Sequence, residues 1–355
     1  IRDEVKLEDR AAKSTTKTLS GANGAEVKLG VIELPGFYAD LKGKRSNPEY
    51  KSSSRDVGRI LREMREDDVE GIVLDLRNNG GGSLLEAVLM TGLFIKTGPT
   101  VQVRERHTIS IIPDNDPSIV YGGPLVVLVN RLSASASEIL AAALQDYGRA
   151  IIVGDSKTHG KGSVQTILGL NRSDTMGAIK VTNALFYRIS GGSTQLRGVT
   201  PDIIVSSAFD CMEFGEDFLT NPMEWSTVRS AIYSPFDNLE GLISTLGEQS
   251  EARTSSDERF IAYRALLKRI ETLTTRETLS LNLEKRQAQA TAEKELLDIQ
   301  NSLMGQGDHD DDDEETVSDL VEEEALQILM DMIRISRKRE KAIARVGASV
   351  PVARK

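Results

Sequence analysis

Three short segments of this chain hold residues whose types and spacing could do chemistry. The first is "VNRLSASASEILAAAL", where strand, tight turn and helix follow one another. That order places Ser135 at a helix N-terminus, where backbone N–H groups point outward. A hydroxyl there could attack a carbonyl, and the N–H groups could hold the resulting oxyanion. The same residues also form a capping box, Ser135-x-x-Glu138, and taken alone the segment favours the cap. The second segment is "THGKGSVQ", with Lys161 between two glycines. A lysine so placed reads first as a solvated turn residue. It becomes a base only if burial lowers its pKa enough to leave the amine neutral. The third is "LDLRNNGGGS", in which consecutive glycines after an apolar run permit close backbone approach. That suits an oxyanion site and suits a tight strand-to-helix turn equally well. It is neither a Walker loop, since no G-K-[ST] follows, nor a G-x-G-x-x-G dinucleotide fingerprint.

A Ser–His–Asp triad is the commoner design, and the histidines available are His107, His159 and His309. His309 lies in an acidic run, and His107 follows a charged strand with no evident partner. His159 stands two residues before Lys161, so the residues alone leave both open as bases. Scattered histidines, the single Cys211 and the lack of H-E-x-x-H give no metal-ligand spacing, and no metal or organic cofactor is expected. The run Asp310 to Glu315 lacks the glycine and spacing of a calcium loop and reads as solvated charge.

The elements around these segments indicate an α/β fold. "KLGVIELPGF", "EGIVLDLR", "PTVQVRERH", "GPLVVLVN", "AIIVGD", "GAIKVTNALFYR" and "GVTPDIIV" read as strands, the sixth near a solvated edge. Helices are expected over "SSSRDVGRILREMRED", capped by Ser54 or Asp56, and over the stretch after the glycines. A third helix, "SASEILAAALQDYG", should stop at Gly148. The alternation implies right-handed crossovers. From these patterns residues 1–28 are an extension leading into a core at 29–206. A helical region follows at 207–304, then an acidic linker at 305–316 and a C-terminal helix and tail at 317–355. In the last helix Val317, Val321, Ile328, Met332 and Ile335 share a face.

With 355 residues, 39% of them hydrophobic, the chain can bury a sizeable core. A net charge of -10 argues against nucleic acid as partner, because phosphate contacts need clustered Lys and Arg. One cysteine precludes an intrachain disulfide. No apolar run reaches the ~20 residues of a membrane span.

Taken together, the three segments resemble the C-terminal processing peptidases. The resemblance rests on "LDLRNNGGG", "GPLVVLVNRLSASASEILAAALQDYGRAIIVGD", "GKGSVQ" and "FYRISGGSTQLRGVTPDII", and is specific over about residues 5–205. It implies a ClpP/crotonase-like α/β core. Ser135 is then the nucleophile and Lys161 the base, in preference to His159, with Gln165 orienting Lys161. Backbone N–H groups of Gly82 and Ala136 become the oxyanion donors, and Asp146 corresponds to a family aspartate whose place near a helix end suggests a structural role. Ser133 and Ser137 are the competing nucleophiles. The turn "GDSKTHGKG" is one residue longer than the usual pattern, which brings in Lys157 as an alternative base. The family usually carries a PDZ domain, and no stretch of that kind stands out, so the chain reads as part of a longer protein. The resemblance further implies protein substrates with exposed apolar C-termini, a periplasmic location, a helical-repeat lipoprotein adaptor and a possible homo-oligomer. The rival expectation is a catalytically silent fragment serving as an adaptor-binding or assembly module. A crotonase-type acyl-CoA enzyme is a more distant reading.

Overall fold

The computed structural model describes residues 11–20, 26–40, 50–170, 176–236, 238–275 and 319–348. Between 276 and 294 it also describes 278, 280–287, 289–291 and 294. The acidic run 305–316, His309 and Val317 fall outside the described residues.

A six-stranded sheet forms the centre, in the order β1-β2-β3-β6-β7-β10. Its strands are β1 (Lys13–Ser20), β2 (Glu26–Glu33), β3 (Gly71–Asp75), β6 (Leu125–Val129), β7 (Ile151–Gly154) and β10 (Ile203–Ile204). From β2 to β10 every pairing is parallel, and β1 lies antiparallel on the β2 edge. β3 and β6 read GIVLD and LVVLV and are buried along their whole length. Such unbroken apolar runs are what a parallel sheet covered on both faces requires.

One face is covered by α1 (Ser53–Glu66), α2 (Leu84–Gly92) and α3 (Ala136–Asp146), which pack Leu61, Met90 and Leu140 against Ile72, Leu74 and Val127. The opposite face, with Val73, Val126 and Leu128, is covered by the C-terminal helix α6 (Leu320–Ala348) through Leu326, Leu329 and Ile333. Helices α4 (Glu240–Ser256) and α5 (Glu258–Thr274) flank α6 and add Leu242, Leu246 and Phe260 to that layer. The expected apolar face of α6 is real at Val321, Ile328 and Met332, all buried. Burial there also reaches Glu324 and Asp331, because α4 lies against the helix and Arg253 pairs with both carboxylates at 2.6 and 2.9 Å.

A second, antiparallel sheet stands beside the first, in the order β5-β4-β9-β8, with β4 (Gly98–Arg104), β5 (Ile109–Asp114), β8 (Ser163–Gly169) and β9 (Ala178–Tyr187). The fold is thus mixed α/β with a helical C-terminal region, as the strand and helix patterns indicate. Several details differ. Residues 13–20 add a strand to the sheet although their pattern is mostly polar, because an edge strand exposed along nearly its whole length needs only backbone pairing. β9 is interior to its sheet, between β4 and β8, and its exposed residues reflect a hairpin that projects from the body. The N-cap of α1 is Ser52, before both expected caps, Ser54 and Asp56, which lie inside the helix. Gly148 does end α3 in the left-handed region, at φ 60.

Candidate active site

The carboxyl ends of adjacent strands β3 and β6 each release a loop, and the two loops lock together. After β3, Asn78 donates its backbone N–H to Asn130 Oδ1 at 3.0 Å, and Asn130 Nδ2 returns a bond to Asn78 Oδ1 at 2.8 Å. Asn79, fully buried, donates Nδ2 to Leu34 O and accepts Gly81 N–H on Oδ1 at 2.9 Å. The carbonyl of Asn79 accepts from Ala134 N–H at 3.0 Å and Ser137 Oγ at 2.9 Å. These bonds hold the glycine loop against the turn that starts α3. Gly81, at φ 97, has to be glycine: a Cβ there would stand 2.7 Å from Ala134 O and 2.8 Å from Ser135 Cβ.

Ser135 caps α3 with φ 58 and ψ -109, a strained conformation for a residue with a Cβ. Such strain costs ~1–3 kcal/mol and persists only where the surroundings enforce it. The geometry also separates the competing serines. Ser133 Oγ donates to Leu76 O at 2.8 Å and Ser137 Oγ to Asn79 O at 2.9 Å, both fully buried. Ser135 is half-buried; its side chain faces the Glu138 backbone in the capping box, but among the described residues its hydroxyl donates to no protein acceptor. The N–H groups of Gly82 and Ala136 likewise donate to no protein acceptor among the described residues. Gly82 follows Gly81 on the locked loop and Ala136 is the first residue of α3, so two unused donors flank Ser135.

Lys161 sits in the turn between β7 and β8. Thr194 Oγ1 donates to Lys161 O at 3.0 Å, and the next amide, Gly162 N–H, donates to Gln195 Oε1 at 2.9 Å. Lys161 Nζ reaches Gln165 Oε1 at 3.4 Å. Burial holds the Lys161 pKa below the ordinary lysine value, reinforced by the charge of Lys180 and opposed by Glu216 and Glu138. No hydrogen bond joins Lys161 Nζ to Ser135 Oγ among the described residues; the two residues are linked through their backbone N–H groups.

What joins the two loops is Glu138, which is fully buried. Its Oε2 accepts Ser135 N–H at 2.7 Å and Lys161 N–H at 3.1 Å. Its Oε1 accepts Thr158 Oγ1 at 2.6 Å and Gly160 N–H at 2.7 Å. The glutamate of the capping box is therefore more than a helix cap. It staples the serine turn to the lysine turn. Burial pushes its pKa up to about 7, against the pull of the four hydrogen bonds.

The remaining sequence candidates are placed as follows. His159 donates its backbone N–H to Ser133 O, and its Nδ1 is buried without a hydrogen-bond partner, 4.0 Å from Glu216 Oε2. Burial lowers its pKa. Lys157 points away, with Nζ on Leu196 O at 3.1 Å and Asp217 at 2.8 Å. Asp146 binds Arg188 at 2.6 Å and Ser190 Oγ at 3.0 Å, tying the end of α3 to the segment after β9. His107 is exposed beside β4. Spacing gave no hint of Thr158, Thr194 and Gln195. Thr158 lies in the lysine turn itself, but Thr194 and Gln195 stand more than 30 residues onward and only the fold brings them there.

Comparison with known proteins agrees with this architecture. Residues 28–205 match peptidase family S41, and residues 209–334 match the C-terminal domain of tail specific protease. The chain is 40% identical over 298 residues to a tail-specific protease of Haemophilus influenzae, covering 81% of this chain and 40% of that protein. It is 45% identical over 141 residues to a carboxy-terminal-processing protease of Bartonella bacilliformis, covering 39% and 32%. Among solved structures, a photosystem II D1 C-terminal processing protease superposes with a TM-score of 0.46 at 33% identity, covering 55% of this chain and 48% of that one. The chain thus spans less than half the length of these relatives. A family match across the whole α/β core, from β2 to β10, identifies the chain as a member of peptidase family S41.

Proposed function

We propose that this chain is the catalytic part of a serine endopeptidase working through a Ser–Lys dyad. The observation that carries the reading is the contrast among the three serines: Ser133 and Ser137 are anchored, while the strained Ser135 is accessible and stapled through Glu138 to the lysine turn. Ser135 Oγ attacks the scissile carbonyl carbon as neutral Lys161 Nζ takes its proton. The downward shift of the Lys161 pKa, caused first by burial, favours the neutral amine that this step needs. Gln165 Oε1 orients that amine. The N–H groups of Gly82 and Ala136 receive the oxyanion. Collapse of the tetrahedral intermediate expels the amine, which recovers the proton from Lys161. Water, deprotonated by the same lysine, then releases the acyl group and restores Ser135.

The substrates proposed are proteins with exposed apolar C-termini. Leu85 and Leu89, exposed on the first turns of α2 just after Gly82, offer apolar surface beside the oxyanion donors. Among the described residues no helix is long and apolar enough to cross a membrane. A periplasmic location, a helical-repeat lipoprotein adaptor and self-association belong to the same proposal and rest on the family resemblance of the sequence motifs alone.

The unpaired Ser135 and Lys161 side chains favour one second reading, a resting or silent module that serves assembly. Degradation of an unstructured protein with an apolar C-terminus separates the two. The endopeptidase reading requires turnover by the parent and none by folded Ser135→Ala or Lys161→Ala. An inert parent whose Ser135 also resists a fluorophosphonate would establish the silent module instead.

A further inference from the structure

The loop bearing Gly82 is also tied at its root, to a part of the chain more than 240 residues away. Arg77 lies between the end of β3 and Asn78, and its guanidinium is divided between two elements. Nε and Nη2 bind the buried Asp75 at 2.9 and 2.7 Å. Nη1 binds Asp319 at 2.7 Å, and Nη2 faces Glu322 at 3.7 Å. Asp319 is the residue that begins α6, and its Oδ1 accepts Glu322 N–H at 3.0 Å, so one carboxylate caps the helix and holds the arginine. Glu322 in turn takes Lys17 of β1 at 2.5 Å. The next residue after Arg77 is Asn78, which exchanges two bonds with Asn130 at the root of the serine loop.

We propose that Arg77 is a positioning residue through which the N-terminus of α6 sets the oxyanion loop, so that the helical C-terminal region is part of the catalytic apparatus rather than a passive cover. A planar guanidinium suits this task, because its fork fixes direction as well as charge on two partners at once. When Asp319 and Glu322 let go, Arg77 keeps only Asp75 of its own strand, and the Asn78–Gly82 loop loses its outer anchor. Gly82 N–H then no longer meets the oxyanion at a fixed position. Binding of substrate elsewhere is unaffected.

The variant that tests this is Asp319→Asn combined with Glu322→Gln. Asparagine retains the helix cap, and Asp75 keeps its arginine, so the fold is preserved. Arg253→Gln is the matched control. It breaks a double ion pair on the same helix, to Glu324 and Asp331, remote from Arg77. Two readouts are needed because the kinetic one rests on the endopeptidase reading. On an unstructured substrate the double variant should lose about 2- to 30-fold in kcat, the range for residues that act through a coupled element, with KM nearly unchanged. Arg253→Gln should keep kcat. Independently of any turnover, hydrogen exchange of the Gly81 and Ser83 amides, bonded in the parent to Asn79 Oδ1 and Phe37 O, should accelerate in the double variant and not in the control. Unchanged exchange at those amides, or equal acceleration in both variants, overturns the inference. Accelerated exchange in the double variant of a parent that cuts nothing upholds the coupling and refutes the endopeptidase reading alone.

Discussion

Replacing Glu138 by Gln should separate stability from activity. In the parent both carboxylate oxygens are used twice: Oε1 by Thr158 Oγ1 and Gly160 N–H, Oε2 by Ser135 N–H and Lys161 N–H. An amide offers one such oxygen. Turned toward the Oε2 side, its NH2 faces the two N–H groups of Ser135 and Lys161; turned the other way it faces Gly160 N–H and the Thr158 hydroxyl, which can accept, so one or two buried donors are left unsatisfied at ~1–3 kcal/mol each. Against this stands the relief of a buried charge. Burial moves the Glu138 pKa from 4.5 to about 7, equivalent to roughly 3 kcal/mol. The two effects oppose each other and are of similar size, so global stability at pH 8 should change little. The positional loss is not offset, because the orphaned donors belong to the serine and lysine turns. A loss of ~1–3 kcal/mol in alignment lowers kcat about 5- to 150-fold. The sign of the pH effect is also fixed. With a folded pKa above 4.5, the stability from Glu138 is complete below pH 4.5 and is lost as pH rises through about 7. Asp155, whose pKa burial raises to about 6, titrates in the same window in both proteins, so the parent should lose more stability across it than Glu138→Gln does. Chemical denaturation at several pH values, with kcat on an unstructured substrate, measures both. The reasoning is refuted if Glu138→Gln keeps parental kcat, or if its kcat loss is matched by unfolding at pH 8.

Further outcomes follow from the same geometry. Ser135→Ala should abolish turnover at parental Tm. Ser133→Ala strips Asn130 N–H and Leu76 O of their hydroxyl partner and should cost ~1–3 kcal/mol in denaturant unfolding. Lys180→Met removes a charge that depresses the Lys161 pKa, so the acid limb of the pH–kcat profile should move to higher pH. An unmoved limb would exclude Lys161 as the titrating base. Leu329→Ala on α6 removes a fully buried side chain from the sheet's second face and should destabilise the chain by ~2–5 kcal/mol.

The core was legible because its signals are local. GIVLD, LVVLV and IIVG announce buried parallel strands, and Gly148 announces the end of α3. β5 and β8 gave no such signal, since their exposed residues follow neither alternation nor a continuous apolar run. At the site, residue types and spacing brought Ser135 and Lys161 into view only as a cap and a turn lysine; the family resemblance singled them out, and the anchoring of Ser133 and Ser137 is a support for Ser135 that only the fold supplies. Glu138 was visible only as a cap, because its second role depends on a turn more than 20 residues onward in sequence. Arg77 had no signal at all, for its partners stand at the far end of the chain.

The cover supplied by α6 has a consequence for how the molecule comes into being. Val73, Val126 and Leu128 lie in the first half of the chain, and the residues that bury them begin at Leu320. During synthesis, which delivers the N-terminal part first, that sheet face meets water or a chaperone until α6 has emerged. The closing contacts span so much sequence that they form late and slowly. The same long-range docking completes the hold on Arg77. A chain in which α6 has yet to dock thus carries an uncovered apolar sheet face and an incomplete hold on Arg77.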